Sequence, residues 1–408
     1  MKAPILRRTK IDLAITAGLS ALTLIGIAGV WATAPSRNVD HQPGEAITVN
    51  ATEVNFAAPA ATEVFQVAGD PFNQRAIISS GLIISTEITE DSSTIRAINP
   101  ENGEEVWHYS RDRKLCSLSQ AWDNVIMDFH SGRGCGDVVS VHGATGEYVT
   151  TRSASASNEV APISSNDRVG IVSPERVELW RSDLVRTVEY GDVPIKQEAE
   201  QQPHEECTIS SALTRTEILA VVEQCDDHYW LRLQKTTPHD SREPSIIQDF
   251  DLGTNPAQVV AVNQTGAAVY ISSANPEIIA YNELNEQTAR SLVAPAPLAD
   301  TTSGLFTPQT GDLPHHMTWF DGQRLYLFAP SKLNLSQIFE NALGAGAATN
   351  DRLLIPISQG IAVANWTTGE IESTIAVDRH GYTGPITLSV NNGYIVEKRG
   401  SEIVVLKT

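Results

Sequence analysis

The chain of 408 residues reads as an all-β protein: a single β-propeller of about seven four-stranded blades after one N-terminal transmembrane helix. Three observations predict this. A short hairpin pattern recurs along the chain. Strand-like apolar runs separated by Asn, Asp and Gly turns fill the sequence between the copies. One long apolar segment stands alone near the N-terminus.

The recurring pattern first occurs over 97–107 as Ala97-Ile98-Asn99-Pro100-Glu101-Asn102-Gly103-Glu104-Glu105-Val106-Trp107. A second copy, 141–149, turns at Thr145-Gly146. A third, 280–286, turns at Asn282–Asn285. A fourth, 363–371, turns at Asn365 with Thr368-Gly369. Each is strand, tight polar turn, strand. Such hairpins at a spacing of roughly 40 residues mark a propeller.

The N-terminus divides into three parts. Residues 1–10 are a basic tail with Lys2, Arg7, Arg8 and Lys10. Residues 11–33 form an apolar run long enough to cross a bilayer. The cations place the tail in the cytoplasm and everything after the run outside it, as a single-pass cell-membrane protein. A cleaved signal peptide is the alternative, since Ala32-Thr33-Ala34 fits a small-x-small cleavage site, but Pro35 disfavours the cut. Residues 34–61 are rich in Ala, Pro, Thr and Glu without periodicity, and are expected to be a flexible tether. The propeller is expected over 62–408.

Inner hairpins are expected over 76–84, 121–129, 162–172, 258–271, 317–328 and 387–396. Outer hairpins follow, with degraded copies over 177–190 and 229–250. The last unit is incomplete, and 63–67 is a stray early strand. Propellers close by combining N- and C-terminal strands, so these two are expected to pair. Three stretches interrupt the repeat: 194–206, 293–314 and 331–350, the last with a short helix expected over 335–343. Insertions of this kind project from a rim and can carry specificity.

Four cysteines, Cys116, Cys135, Cys207 and Cys225, lie 19 and 18 residues apart in two pairs. Each pair is expected to flank one hairpin and to form a disulfide, stable in an oxidising compartment. Four buried thiols are the other reading. Neither pair has zinc-site spacing.

The formal charge of -20 excludes nucleic acid and anionic lipid surfaces as partners of the folded domain. Gly132-x-Gly134 lacks the helix that a phosphate loop requires. His315-His316 and Asp226-Asp227-His228 offer metal-ligand atoms without an evident third partner. No nucleophile signature occurs.

Residues 97–107 resemble the tryptophan-docking repeat of the pyrroloquinoline-quinone-like (PQQ-like) propellers, whose pattern is Ala-x-Asp-x-x-Thr-Gly-x-x-x-Trp. Ala97, Asn99, Asn102, Gly103 and Trp107 occupy its positions, with Asn replacing Asp and Thr. With the anchor and paired cysteines, the chain resembles the envelope-anchored actinobacterial members over about 62–408. That resemblance implies blade-packing roles for Trp107, Trp122, Trp180, Trp230, Trp319 and Trp366. It implies one of two activities. Quinoprotein dehydrogenases of the family carry calcium ligands, a catalytic Asp and, in some, adjacent cysteines; none of these maps here. Others bind proteins without a cofactor. The expectation is therefore a non-catalytic binding or scaffold module of the cell envelope, with a protein or glycan partner and no cofactor, metal or catalytic residue assigned. The alternatives are a quinone-dependent dehydrogenase and a lyase or hydrolase acting on cell-wall polymer.

Overall fold

In the computed structural model, residues 9–34, 38–194, 196, 198–302, 304–313 and 316–408 are described. Lys2, Arg7, Arg8, Pro35 and His315 therefore lie outside the described residues.

The N-terminal helix spans Lys10–Thr33. Thr9 caps it: its hydroxyl accepts from the Asp12 amide at 3.1 Å, while the Asp12 carboxylate takes the Thr9 amide at 2.9 Å. Its 24 residues have a mean hydropathy of 2.0 over the most apolar window and none is buried. At about 1.5 Å per residue it is long enough to cross a bilayer.

The remainder is a ring of antiparallel sheets. Six blades occupy residues 78–111, 115–153, 161–191, 208–253, 257–292 and 309–340, numbered 1 to 6 in that order. Blades 7 (347–377) and 8 (386–407) share one eight-stranded sheet. The strand that joins them is Ala60–Ala68. It runs antiparallel to the last strand, from Thr62 opposite Lys407 to Ala68 opposite Glu402, and so completes blade 8. Its first two residues also pair in parallel with Ala376 and Val377 of blade 7. The expected pairing of 63–67 with the final blade is present.

The blades number eight rather than seven. The missing blade lay inside stretches read as insertions. Gln309–Asp312, Leu335–Glu340 and Ala347–Thr349 are strands, and 317–328 is the middle hairpin of blade 6, not an inner one. The helix expected over 335–343 is the outer strand of blade 6 up to Glu340. Leu335, Ile338 and Phe339 fit a helical face, but pairing with Arg324–Phe328 decides the matter.

The tether expectation also fails from Asn38 onward. Val39–Gln42 adds a fifth, antiparallel strand to the outer edge of blade 1. The chain then runs along the blade ends. The Gly44 amide donates to Thr145 O, the Asn50 amide to the Glu101 carboxylate and the Thr52 amide to Asn392 O. Val54 is buried, and Phe56 O accepts from the Ser373 hydroxyl. Composition suggested a loose linker, but the open edge of blade 1 offers backbone donors and acceptors that a short extended segment satisfies.

The core lies between blades. Leu82, Ile84, Trp107 and Tyr109 of blade 1 pack with Leu118, Met127 and Val141 of blade 2. Ala76, Ile83 and Ile98 of blade 1 meet Val396, Ile403 and Val405 of blade 8, which seals the ring.

One buried group runs against this apolar packing. Asp128 of blade 2 is 1% exposed, and neither carboxylate oxygen has a hydrogen-bond partner among the described residues. Burial, then Glu178 and Asp137, push its pKa well above the ordinary value against the pull of Arg152. A raised folded-state pKa means stability present at low pH that is lost as pH rises from about 4. Asp128→Asn should therefore stabilise the protein near neutral pH by about 1–3 kcal/mol, with the gain vanishing near pH 4. Denaturant titrations at pH 4 and 7.5 check this, and a gain equal at both pH values would refute it.

Candidate functional site

The repeat-motif residues form the outer turns. In blade 1 the Asn99 side chain accepts from the Glu101 amide at 2.9 Å, and the Gly103 amide returns to Asn99 O at 2.9 Å. The Glu104 amide donates to the Asn102 side chain at 3.0 Å. Ala97 is buried within its strand. In blade 7 the Asn365 side chain takes the Thr367 and Thr368 amides, and the Gly369 amide donates to Asn365 O at 2.8 Å. In blade 2 the Thr145 hydroxyl accepts from the Glu147 amide, and the Gly146 amide donates to His142 O at 2.7 Å. Trp107 reaches the neighbouring blade: its indole N–H donates to Gly143 O at 2.8 Å.

Trp107, Trp180 and Trp319 are buried between blades, as the resemblance implies. Trp230 departs from them and lines an open cleft on blade 4.

Both cysteine pairs are joined. Cys116 and Cys135 have Cα atoms 5.8 Å apart, and Cys207 and Cys225 4.5 Å. The first pair does not flank one hairpin. Cys116 is on Leu115–Ala121 and Cys135 on Gly134–His142, with Asn124–Ser131 between them in sheet order. The second flanks the hairpin of Thr208–Arg215 and Ile218–Cys225. It ties the entry of blade 4 to the Asp226-Asp227 turn, which leads into His228–Lys235.

The loop before Cys207 is the interruption 194–206. Buried Gln202 fixes it: the side-chain oxygen accepts from the Gly191 amide at 3.1 Å, and the side-chain nitrogen donates to Glu189 O and Arg242 O. Between this loop and the Asp226-Asp227 turn lies a cleft of about 900 Å³. Glu200, Glu205, Glu206, Asp226 and Asp227 line it, with the disulfide, Trp230 and Arg232 in its wall.

Behind the wall sits a buried polar network. Tyr190 donates to Glu223 at 2.7 Å, and Arg232 Nε donates to it at 2.9 Å. Arg232 also pairs with Asp249 at 3.1 Å, and its guanidinium lies 4.6 Å from the Trp230 ring centroid. Burial raises the Glu223 pKa, opposed by the hydrogen bonds from Arg232 and Tyr190. Burial also holds His204 below the usual imidazole range. The hydrogen bond to Asp251 raises His228.

His204, Cys207 and Glu223 come within ligand-sharing distance. Cys207 is spent in the disulfide and supplies no thiolate, so this trio does not suit a soft metal ion. His316 lies beside Trp366, with ring centroids 6.1 Å apart. The cleft is an acid-lined recess with one aromatic residue, Trp230, in its wall.

No known family's sequence model matches this chain, and no curated protein matches it. Solved structures do. The Dos1 propeller aligns over 85% of this chain and 95% of its own at 8% identity, with a TM-score of 0.50. The Myceliophteria thermophila Cps50 (Swd1) β-propeller domain aligns over 85% and 99% at 10% identity, TM-score 0.44. The WD40 domain of Toxoplasma gondii coronin aligns over 90% and 85% at 8% identity, TM-score 0.44. The chain has the β-propeller fold. Identities this low speak to fold alone.

Proposed function

We propose that the protein is a non-catalytic binding module: a PQQ-like propeller held at the outer face of the cytoplasmic membrane by residues 11–33, presenting its blade 4 cleft to a cationic protein partner of the cell envelope. The apolar N-terminal helix and two disulfides support the location. The docking of Trp107 on blade 2 supports the PQQ-like assignment. The observation that carries the binding role is the cleft itself. A loop outside the repeat is held by Gln202 and a disulfide and brings Glu200, Glu205 and Glu206 to a cleft that Asp226 and Asp227 of the facing turn and Trp230 also line. Such a recess complements Lys- or Arg-rich segments through charge at the rim.

A quinone with its calcium ion suits this chain poorly. Calcium takes about 6–8 oxygen ligands including carboxylates, and the cavity at the propeller axis has no Asp or Glu in its described lining.

Charge reversal tests the reading. Glu205→Lys, Glu206→Lys, Asp226→Lys and Asp227→Lys together should abolish crosslinking to the native partner in intact membranes, identified by mass spectrometry, and leave the fold intact. Binding by the parent should weaken steeply with salt. Unchanged crosslinking by the quadruple variant would show that the partner docks elsewhere.

A further inference from the structure

The innermost strands of blades 1, 2, 3, 4 and 6 converge on a cavity of about 270 Å³. Its lining differs from the rest of the molecule. The sequence has 49 acidic residues, yet none is among the described residues that line this space. The lining holds one cation, Arg75, with neutral donors such as Gln120, Ser164 and Thr310 and apolar walls from Phe72 and Phe306.

Arg75, just before blade 1, reaches toward the neighbouring blades 8 and 7. Its guanidinium donates to Leu388 O of blade 8 and, at 2.9 Å, to Gly346 O at the start of blade 7. Gly311 of blade 6 makes room for it, because a Cβ there would stand 2.7 Å from Arg75 Nη2. Among the described residues no carboxylate lies within ion-pair distance of Arg75. The six buried cations among the described residues all have one. Arg176 pairs with Glu178, Arg232 with Glu223, Arg324 with Asp321, Arg379 and Arg399 with Glu397, and Lys398 with Asp70. Carbonyl dipoles satisfy N–H groups but leave the net charge uncompensated. Enclosure lowers the Arg75 pKa to about 10, and only burial contributes to that shift.

We propose that the axial cavity binds a small oxyanion-bearing molecule, a short-chain carboxylate or a phosphate, whose oxyanion completes the ion pair that Arg75 lacks. A guanidinium fork suits either group. Gln120, Ser164 and Thr310 supply uncharged hydrogen-bond donors, and the missing carboxylates remove the repulsion that such a ligand would meet elsewhere on this acidic protein. The volume falls just below the range of about 300–1,000 Å³ typical of drug-sized ligands, so the occupant is small. This site is separate from the blade 4 cleft and does not rest on its function.

Thermal unfolding and calorimetry of the full chain in detergent, at constant ionic strength, test the proposal with sodium phosphate and sodium succinate against sodium chloride. At least one should raise Tm saturably, and which one identifies the oxyanion class. Arg75→Lys should weaken that binding about tenfold or more, since it keeps the charge but loses the fork. Arg75 also braces blades 7 and 8, so a variant that leaves it in place is needed. Gln120→Glu places a carboxylate in the cavity and should abolish the saturable shift while the protein stays folded. A folded parent that shows no saturable response to either salt overturns the proposal. Gln120→Glu binding as the parent does would overturn it equally.

Discussion

A chain that begins at Asp70, without Ala60–Ala68, should not accumulate as a soluble, cooperatively folded monomer. That strand supplies the fourth member of blade 8. Without it, Glu402–Lys407 becomes an open edge whose central residues, Ile403, Val404, Val405 and Leu406, are all at most 1% exposed in the intact fold. A flat apolar edge of this kind templates association. Phe65 and Val67 would also leave the cluster between blades 8 and 1. The combined loss is expected to exceed the about 5–15 kcal/mol by which domains are ordinarily stable. A chain that begins at Ala60, and so lacks the helix, Val39–Gln42 and the segment 43–59 that runs along the blade ends, should still fold, at reduced stability. Size-exclusion chromatography and near-ultraviolet circular dichroism of the two chains decide this. A monomeric, cooperatively unfolding chain from Asp70 would show that the ring closes without its N-terminal strand.

Trp107→Ala should destabilise the protein by about 3–5 kcal/mol, the range for removing a buried large aromatic side chain. Trp107 is 1% exposed and packs where blade 1 meets blade 2. The facing turn is shaped to it: a Cβ on Gly146 would come within 2.7 Å of the indole Cγ, and Gly146 has φ of +72°. Gly146→Ala should therefore also destabilise, through contact and backbone strain together. Trp107→Phe keeps most of the buried area and loses the bond to Gly143 O, so about 1 kcal/mol is expected. Denaturant unfolding of the three variants tests the order. A Trp107→Ala loss below that of Trp107→Phe would remove the blade-docking role.

The alignment of those effects with the motif explains why part of the molecule is readable from its residues. Asn99, Gly103, Asn365 and Gly369 act within their own turns. Asn accepts local amides, and glycine takes the positive φ, +76° at Gly103 and +78° at Gly369. Cys207 and Cys225 close around one hairpin, and the apolar helix is a contiguous run. All of these depend on neighbours within a few residues, or on the simplest pairing of two adjacent strands.

What needed the folded ring was non-local. The eighth blade hid in short strands such as Ala347–Thr349 and Gln309–Asp312, whose patterning is too brief to announce a strand without its partner. Val39–Gln42 became a strand only because blade 1 has an open edge to receive it. Trp230 resembles the buried tryptophans by sequence position, yet it lines an open cleft together with the loop that Gln202 fixes. Arg75 carries no local signal at all. Its lack of a counter-ion is defined by residues more than two hundred positions away, at Gly346 and Leu388. By itself the sequence determined the fold class, the closing strand and the outer turns, because period-2 apolar patterning and turn chemistry are local. The tertiary structure alone decided the blade count, the course of the N-terminal segment and both cavities. Those depend on which distant backbones and charges the closed ring brings together, and burial there costs free energy that only the assembled surroundings can offset.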